Sequence, residues 1–178
     1  MTDAQRHTPE QAARLVALLI ARFFTRTDMV AARMPWGRPH PIEGGESFEA
    51  LLRAHVMGKA SPKATARYRN RSQSIKVESG WYRLGSYTPN AEGLTAWACL
   101  DFDGAGHADG LVDPRAAVLA AWQACSALGI PSHIECSGGG KGWHLWLLFS
   151  EPVLAAYARR LALAIAPTDH TLVSGRAA

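Results

Sequence analysis

Two short segments of this chain carry side chains able to do chemistry on phosphates. Leu100-Asp101-Phe102-Asp103 closes one apolar run, and Ser137-Gly138-Gly139-Gly140-Lys141-Gly142-Trp143-His144 opens another. On a strand, side chains alternate with period 2, so Asp101 and Asp103 point to the same face. Two such carboxylates supply the hard oxygen ligands that Mg²⁺ or Mn²⁺ takes. Glycines flanking Lys141 let backbone N–H groups approach an anion closely while the lysine adds a point charge, the physics of a phosphate-binding nest. The loop is not a Walker A motif, because Gly142 stands where Ser or Thr should follow the lysine and Glu135 where the first glycine should be. His144 comes directly after the loop and reads as a phosphate or nucleotide contact. The candidate metal ligands are therefore Asp101 and Asp103, which with His144 form the candidate catalytic set. The candidate nucleotide-binding residues are Ser137, Gly140, Lys141, Gly142 and His144. Metal-holding carboxylates beside a triphosphate loop predict nucleotidyl transfer.

Each feature also has a plainer reading. The aspartates could end a strand and cap the turn at Gly104, and the glycines could serve an ordinary hairpin. An isolated histidine in an apolar strand is commonly a core residue. What favours chemistry is the combination: a same-facing acid pair in one segment and a lysine-bearing glycine loop ending in histidine in the other.

The elements that must position these residues follow from periodicity. Thr8-Pro9-Glu10-Gln11 forms a capping box with proline at the first helical position, and Ala12, Leu15/Val16, Leu19/Ile20 and Phe23 continue the helical spacing to about Thr25. Residues Arg26 to Gly45, rich in proline and glycine, read as irregular chain. Phe48, Leu51, Leu52 and Val56 predict a helix from Phe48 to Met57 that stops at Gly58. Ile75 and Val77 then alternate, Ser79-Gly80 turns, and Trp81 to Tyr87 returns as the second strand of a hairpin. Thr95 to Phe102 reads as a buried strand. Asp113-Pro114 starts a helix burying Ala117, Val118, Ala121, Trp122, Cys125 and Leu128 and ending at Gly129. Ser132 to Cys136 and Trp143 to Phe149 read as strands, and Glu151-Pro152 opens a last helix to about Ile165.

The predicted class is α+β: an N-terminal helical and hairpin part over 1–90, and a core over 95–165 with the order βαββα of an RRM-like βαββαβ unit. Its final strand is missing from the pattern, since only His170 to Val173 is apolar enough to supply one. The expectation is a single domain over 1–178, cut short at its C-terminal end.

At 178 residues and 48% hydrophobic content the chain can bury one proper core. Its net charge of +4 favours polyanionic partners without requiring them. Lys59, Lys63, Arg67, Arg69, Arg71 and Lys76 follow one another with almost no acid between them, and Tyr68 lies among them. This pattern suits a solvated surface or contact with template or nucleotide. Cys99, Cys125 and Cys136 form no C-x-x-C pair, so they read as core thiols in a reducing cytoplasm. The apolar stretch Leu15 to Phe24 contains Arg22, lies beyond Asp3 and Glu10, and lacks a small-residue cleavage site, which predicts neither a signal peptide nor a membrane span.

At the Asp pair and the loop the chain resembles the archaeo-eukaryotic primase superfamily, whose core is an RRM-like sheet fronted by an α/β N-terminal part. Asp101 and Asp103 match its first motif, an apolar run ending in two acids, and His144 matches the histidine of its second. Gly140-Lys141-Gly142-Trp143-His144 is similar to the loop in the polymerase domain of bacterial end-joining ligases. Phe23 to Arg33 and the strand feeding the Asp pair resemble primase domains of the TOTE conflict systems. The likeness covers about Phe23 to Ile165, and its two central motifs are far more specific than the rest.

The resemblance implies a primase-polymerase using Mg²⁺ or Mn²⁺ and acting on nucleoside triphosphates with a DNA or RNA template and primer. Helicase or nuclease domains encoded downstream are expected partners. Lys141, His144 and the loop amides would steady the triphosphate, and Arg33, Lys63, Arg67, Arg69 and Arg71 would take template or nucleotide charge. It also implies a third carboxylate on the closing strand. Asp169 is the only acid near that position, so weak or absent polymerase activity is expected of this polypeptide alone. Two other functions compete. One is a catalytically inactive nucleotide- or nucleic-acid-binding module. The other is a haloacid-dehalogenase-type phosphatase, suggested by Asp101-Phe102-Asp103-Gly104 but lacking that family's threonine, where Ala105 stands, and its downstream acidic pair.

Overall fold

The computed structural model of the chain describes residues 7–33, 39–43, 48–57, 63–68, 71–76, 83–104 and 111–167. These form a mixed α+β structure in two compact units, Met1–Leu94 and Thr95–Ala178. Among the described residues there are four helices and two small antiparallel sheets.

Unit 1 begins with α1 (Pro9–Arg22), and its capping box forms as the sequence predicts. The Thr8 hydroxyl accepts from the Gln11 amide at 3.2 Å, and the Gln11 side chain accepts from the Thr8 amide at 2.9 Å. A cap of this kind contributes about 0.5–2 kcal/mol. The helix stops at Arg22, short of the expected Thr25. Within the proline- and glycine-rich stretch after it, read as irregular, the described residues hold β1 (Met29–Arg33) and β2 (Pro39–Glu43), paired antiparallel. Strand pairing supplies there what local propensity lacks. Helix α2 (Phe48–Val56) follows as expected, with Gly58 outside the described residues.

The basic stretch forms a second hairpin, β3 (Lys63–Tyr68) with β4 (Arg71–Lys76). The expected hairpin from Ile75 to Tyr87 is not seen among the described residues, and its turn at Ser79-Gly80 lies outside them. Strand β5 (Arg83–Ser86) pairs with β1 instead of with β4, giving the sheet order β4-β3-β2-β1-β5. The physical reason is in the core, where Leu84 packs against Val30, Phe24 and the buried face of α1 and α2. Phe24 and Phe48 meet edge to face with ring centroids 5.1 Å apart.

Unit 2 is built from β6 (Leu94–Phe102), α3 (Pro114–Ala127), β7 (Ser132–Cys136), β8 (Trp143–Leu154) and α4 (Ala155–Ile165). Asp113 caps α3 by accepting from the Ala116 amide at 2.9 Å. At the other end Ile130 donates to Cys125 and Gly129 to Ser126, with Gly129 at φ 68°, a left-handed position that closes the helix as expected. Strand β8 runs through Glu151 and Pro152, where the sequence predicted a helix start, because a residue before proline is pushed to extended backbone. The three strands lie in the order β6-β8-β7.

One face of this sheet packs on α3 and α4. Phe102, Leu145, Leu147, Val118, Ala121, Cys125 and Ile165 make the core there, and burying a side chain such as Phe102 or Leu147 contributes about 1.5–3 kcal/mol. Trp122 and Leu128, expected in that core, are 40% and 66% exposed because the helix turns them away from the sheet. Of the three thiols only Cys125 is fully buried; Cys136, read as a core residue, is exposed at the strand end. Among the described residues no helix is long and apolar enough to cross a membrane.

Candidate functional site

The face of the unit 2 sheet opposite its helices collects the chemistry. Alternation decides which residues reach it. Along β8, Leu145 and Leu147 go to the core while His144 and Trp146 take the other side. Along β6, Ala98, Leu100 and Phe102 pack inward, which leaves Trp97, Cys99 and Asp101 on the opposite face. The Trp97 and Trp146 rings meet edge to face at 5.3 Å across the two strands.

Asp101 is at the end of β6, with its side chain 58% exposed. Its Oδ1 lies 3.5 Å from Nε2 of His144. The strand pair thus joins the acid of one predicted motif to the histidine of the other. Asp103 follows just past the strand end, where its carbonyl accepts from the Leu111 amide at 2.8 Å. Glu135 was missed as a site residue by sequence reasoning. It stands directly opposite His144 in the β7–β8 register, with Oε2 3.2 Å from Nδ1 of the ring. The same Oε2 accepts from the Trp146 indole N–H at 2.7 Å. The signal was present in the sequence: pairing the two strands about the glycine loop, with Cys136 against Trp143, sets Glu135 against His144. His133 pairs with Trp146 and is exposed on the same face.

The carboxylates leave an electrostatic mark on their neighbour. Burial, reinforced by Asp101 and Glu135, pushes the Cys99 thiol up to about 12. The thiol therefore stays protonated, first because burial disfavours its charged form and then because the two carboxylates repel a thiolate.

The glycine loop is a turn folded back on Ser137. The Ser137 amide donates to the Gly142 carbonyl at 2.9 Å, Gly140 donates to the Ser137 carbonyl at 2.8 Å, and Gly142 donates to the Ser137 hydroxyl at 3.0 Å. The amides of Gly140 and Gly142 are thereby engaged inside the loop. No such partner occurs among the described residues for the amides of Gly138, Gly139 and Lys141. The glycines have separate reasons. Gly140 takes φ 68°, and a Cβ on Gly142 would come within 3.0 Å of the Phe102 carbonyl oxygen. A Cβ on Gly104 would collide with the Lys141 carbonyl oxygen, so the loop is pressed against the end of the aspartate strand. Gly138 and Gly139 face open space, and the Lys141 side chain is exposed.

The structure therefore brings together Asp101, His144 and the loop that carries Ser137, Gly140, Lys141 and Gly142. The basic candidates belong to unit 1. Arg33 ends β1, and Lys63, Arg67 and Arg71 lie on the β3–β4 hairpin, where Lys63 pairs with Lys76, Arg67 with Ser72 and Arg71 with Tyr68. Arg69 and Asp169 lie outside the described residues. Among the described residues no group of three His, Cys, Asp or Glu side chains is arranged to hold a metal ion. Asp101 and Asp103 still suit a hard divalent ion, because Mg²⁺ is commonly bound through one or two carboxylates, with waters and substrate phosphates completing its shell.

A search of the curated proteins found no match. A family model described as the TOTE conflict system, archaeo-eukaryotic primase domain, matches residues 51–173. The match covers more than half of the chain, spans both motifs, and starts downstream of the Phe23 to Arg33 stretch.

Proposed function

The chain belongs to the archaeo-eukaryotic primase domain family of the TOTE conflict systems, and from that premise we propose that it carries out template-directed nucleotidyl transfer. The observation that carries the proposal is the contact between Asp101 and His144, which joins the acid pair and the glycine loop on adjacent strands. We read unit 2 as RRM-like, since a βαββα chain with its third strand between the first two has this order.

In this reading Asp101 and Asp103 hold Mg²⁺ or Mn²⁺, which when bound neutralises charge on the phosphates of the incoming nucleotide. Lys141 meets the triphosphate as a point charge, and the amides of Gly138, Gly139 and Lys141 complete the cradle. His144 orients the phosphate chain so that its α-phosphorus stands in line with a 3′-hydroxyl. The hydroxyl oxygen forms the new P–O bond as the bond to pyrophosphate breaks. Arg33, Arg69 and the strands β3 and β4 that carry Lys63, Arg67 and Arg71 take template or primer charge.

The test is Mn²⁺ titration and primer extension with the full chain and an Asp101→Asn, Asp103→Asn double variant. Loss of metal affinity, together with loss of whatever extension the full chain supports, is expected in the variant. Equal affinity in both proteins overturns the metal assignment. A second reading is an inactive nucleotide-binding module. Metal-dependent triphosphate binding without extension would select it.

A further inference from the structure

We propose that Glu135 is a positioning residue for His144, holding the imidazole in the tautomer protonated at Nδ1 and aiming Nε2 toward Asp101. The consequence for nucleotide binding rests on the triphosphate reading above; the ring geometry does not.

Glu135 and His144 face each other directly across the β7–β8 pair, so their meeting is built into the strand register. The carboxylate oxygen Oε2 lies 3.2 Å from Nδ1. A carboxylate can only accept, so this contact is a hydrogen bond when Nδ1 carries the proton. The same oxygen accepts the Trp146 indole N–H at 2.7 Å. An indole nitrogen is a donor and never an acceptor, so Trp146 cannot compete for the histidine's proton and serves only to hold the carboxylate in place. Trp146 is itself braced against Trp97 at 5.3 Å. The ring's far atom, Nε2, is 3.5 Å from Asp101 Oδ1, longer than a formed hydrogen bond. That end of the ring is the one directed toward the aspartate and whatever the aspartate holds. An imidazole left to itself favours the proton on Nε2, so the Glu135 contact selects the less favoured tautomer.

The test is long-range ¹H–¹⁵N correlation on the full chain, with the His144 resonances assigned by His144→Gln, at a pH where the ring is neutral. Wild type should show Nδ1–H. Glu135→Ala should move the ring toward Nε2–H, Glu135→Gln should restore part of the wild-type state through its amide oxygen, and Trp146→Phe should leave the tautomer in place. Binding of a manganese–nucleoside triphosphate should weaken about tenfold or more in Glu135→Ala, the scale seen when a functional histidine loses its orienting partner, and recover toward wild type in Glu135→Gln. An Nε2–H ring in wild type, or an unchanged ring in Glu135→Ala, overturns the proposal. Should Glu135→Ala fail to fold, the wild-type spectrum decides alone. If the tautomer responds as expected while wild type binds no triphosphate, the positioning role stands and the nucleotide reading falls.

Discussion

In the sheet of unit 1, β4, β3, β2 and β1 lie beside their neighbours in sequence, and only β5 crosses over to reach β1. In the sheet of unit 2, β6 lies beside β8, with α3 and β7 intervening along the chain. The two arrangements place functional groups differently. Unit 1 carries its run of basic residues on β3 and β4, two paired strands that are neighbours in sequence. Unit 2 assembles Asp101, Glu135 and His144 from three strands, and none of these groups has its partner until the sheet is formed. Charge of the first kind tolerates substitution residue by residue, whereas a site of the second kind is sensitive to any change that shifts one strand against another.

The largest effect that would sharpen this contrast is expected from Gly104→Ala. Its Cβ would meet the Lys141 carbonyl, a backbone atom that cannot swing aside, so the strand end and the loop must part. Unit 2 should lose about 1–3 kcal/mol, on the scale of overpacking. Hydrogen exchange should show weakened protection in β6 and β8 and unchanged protection in α1 and α2. Uniform loss through both units would break the comparison.

Next in size is Lys141→Ala, which leaves the loop backbone in place and removes the exposed charge. Triphosphate binding should weaken by roughly 1–3 kcal/mol, the scale of a lost charge-assisted hydrogen bond, while oligonucleotide binding stays as it was. Weakening of oligonucleotide binding alone would move Lys141 from the nucleotide to the template.

The smallest effect is expected in unit 1. Each phosphate neutralised on a single strand contributes about 0.7 to the slope of log K against log salt. Replacing Arg67, Arg69 and Arg71 with alanine should flatten that slope in steps while triphosphate binding persists. An unchanged slope would return the hairpin to a solvated surface and leave unit 2 as the sole bearer of function.

The residues that act locally were legible in the sequence. Thr8 and Gln11 specify the start of α1, Asp113 and Pro114 the start of α3, and Gly129 its end, because each satisfies helix-terminal groups within a few residues. The aspartate pair and the loop were legible as motifs, and the family match spans both. What depended on distant partners was not. Strands β1 and β2 lie in a stretch of prolines and glycines that only pairing makes extended, and β5 chose β1 because Leu84 belongs with Val30. Glu135 was passed over because it gains meaning only opposite His144. Gly142, weighed as a phosphate-loop glycine, is explained by the Phe102 carbonyl against which it packs.

The strand order also sets the entropy of assembling the site. Residues 137–142 close the β7–β8 hairpin over a short distance, and hairpins form in about 1–10 μs. Strand β6 pairs with β8 across a much longer loop, at a greater entropic cost. The meeting of the glutamate and the imidazole therefore costs less chain entropy than the docking of the aspartate beside them.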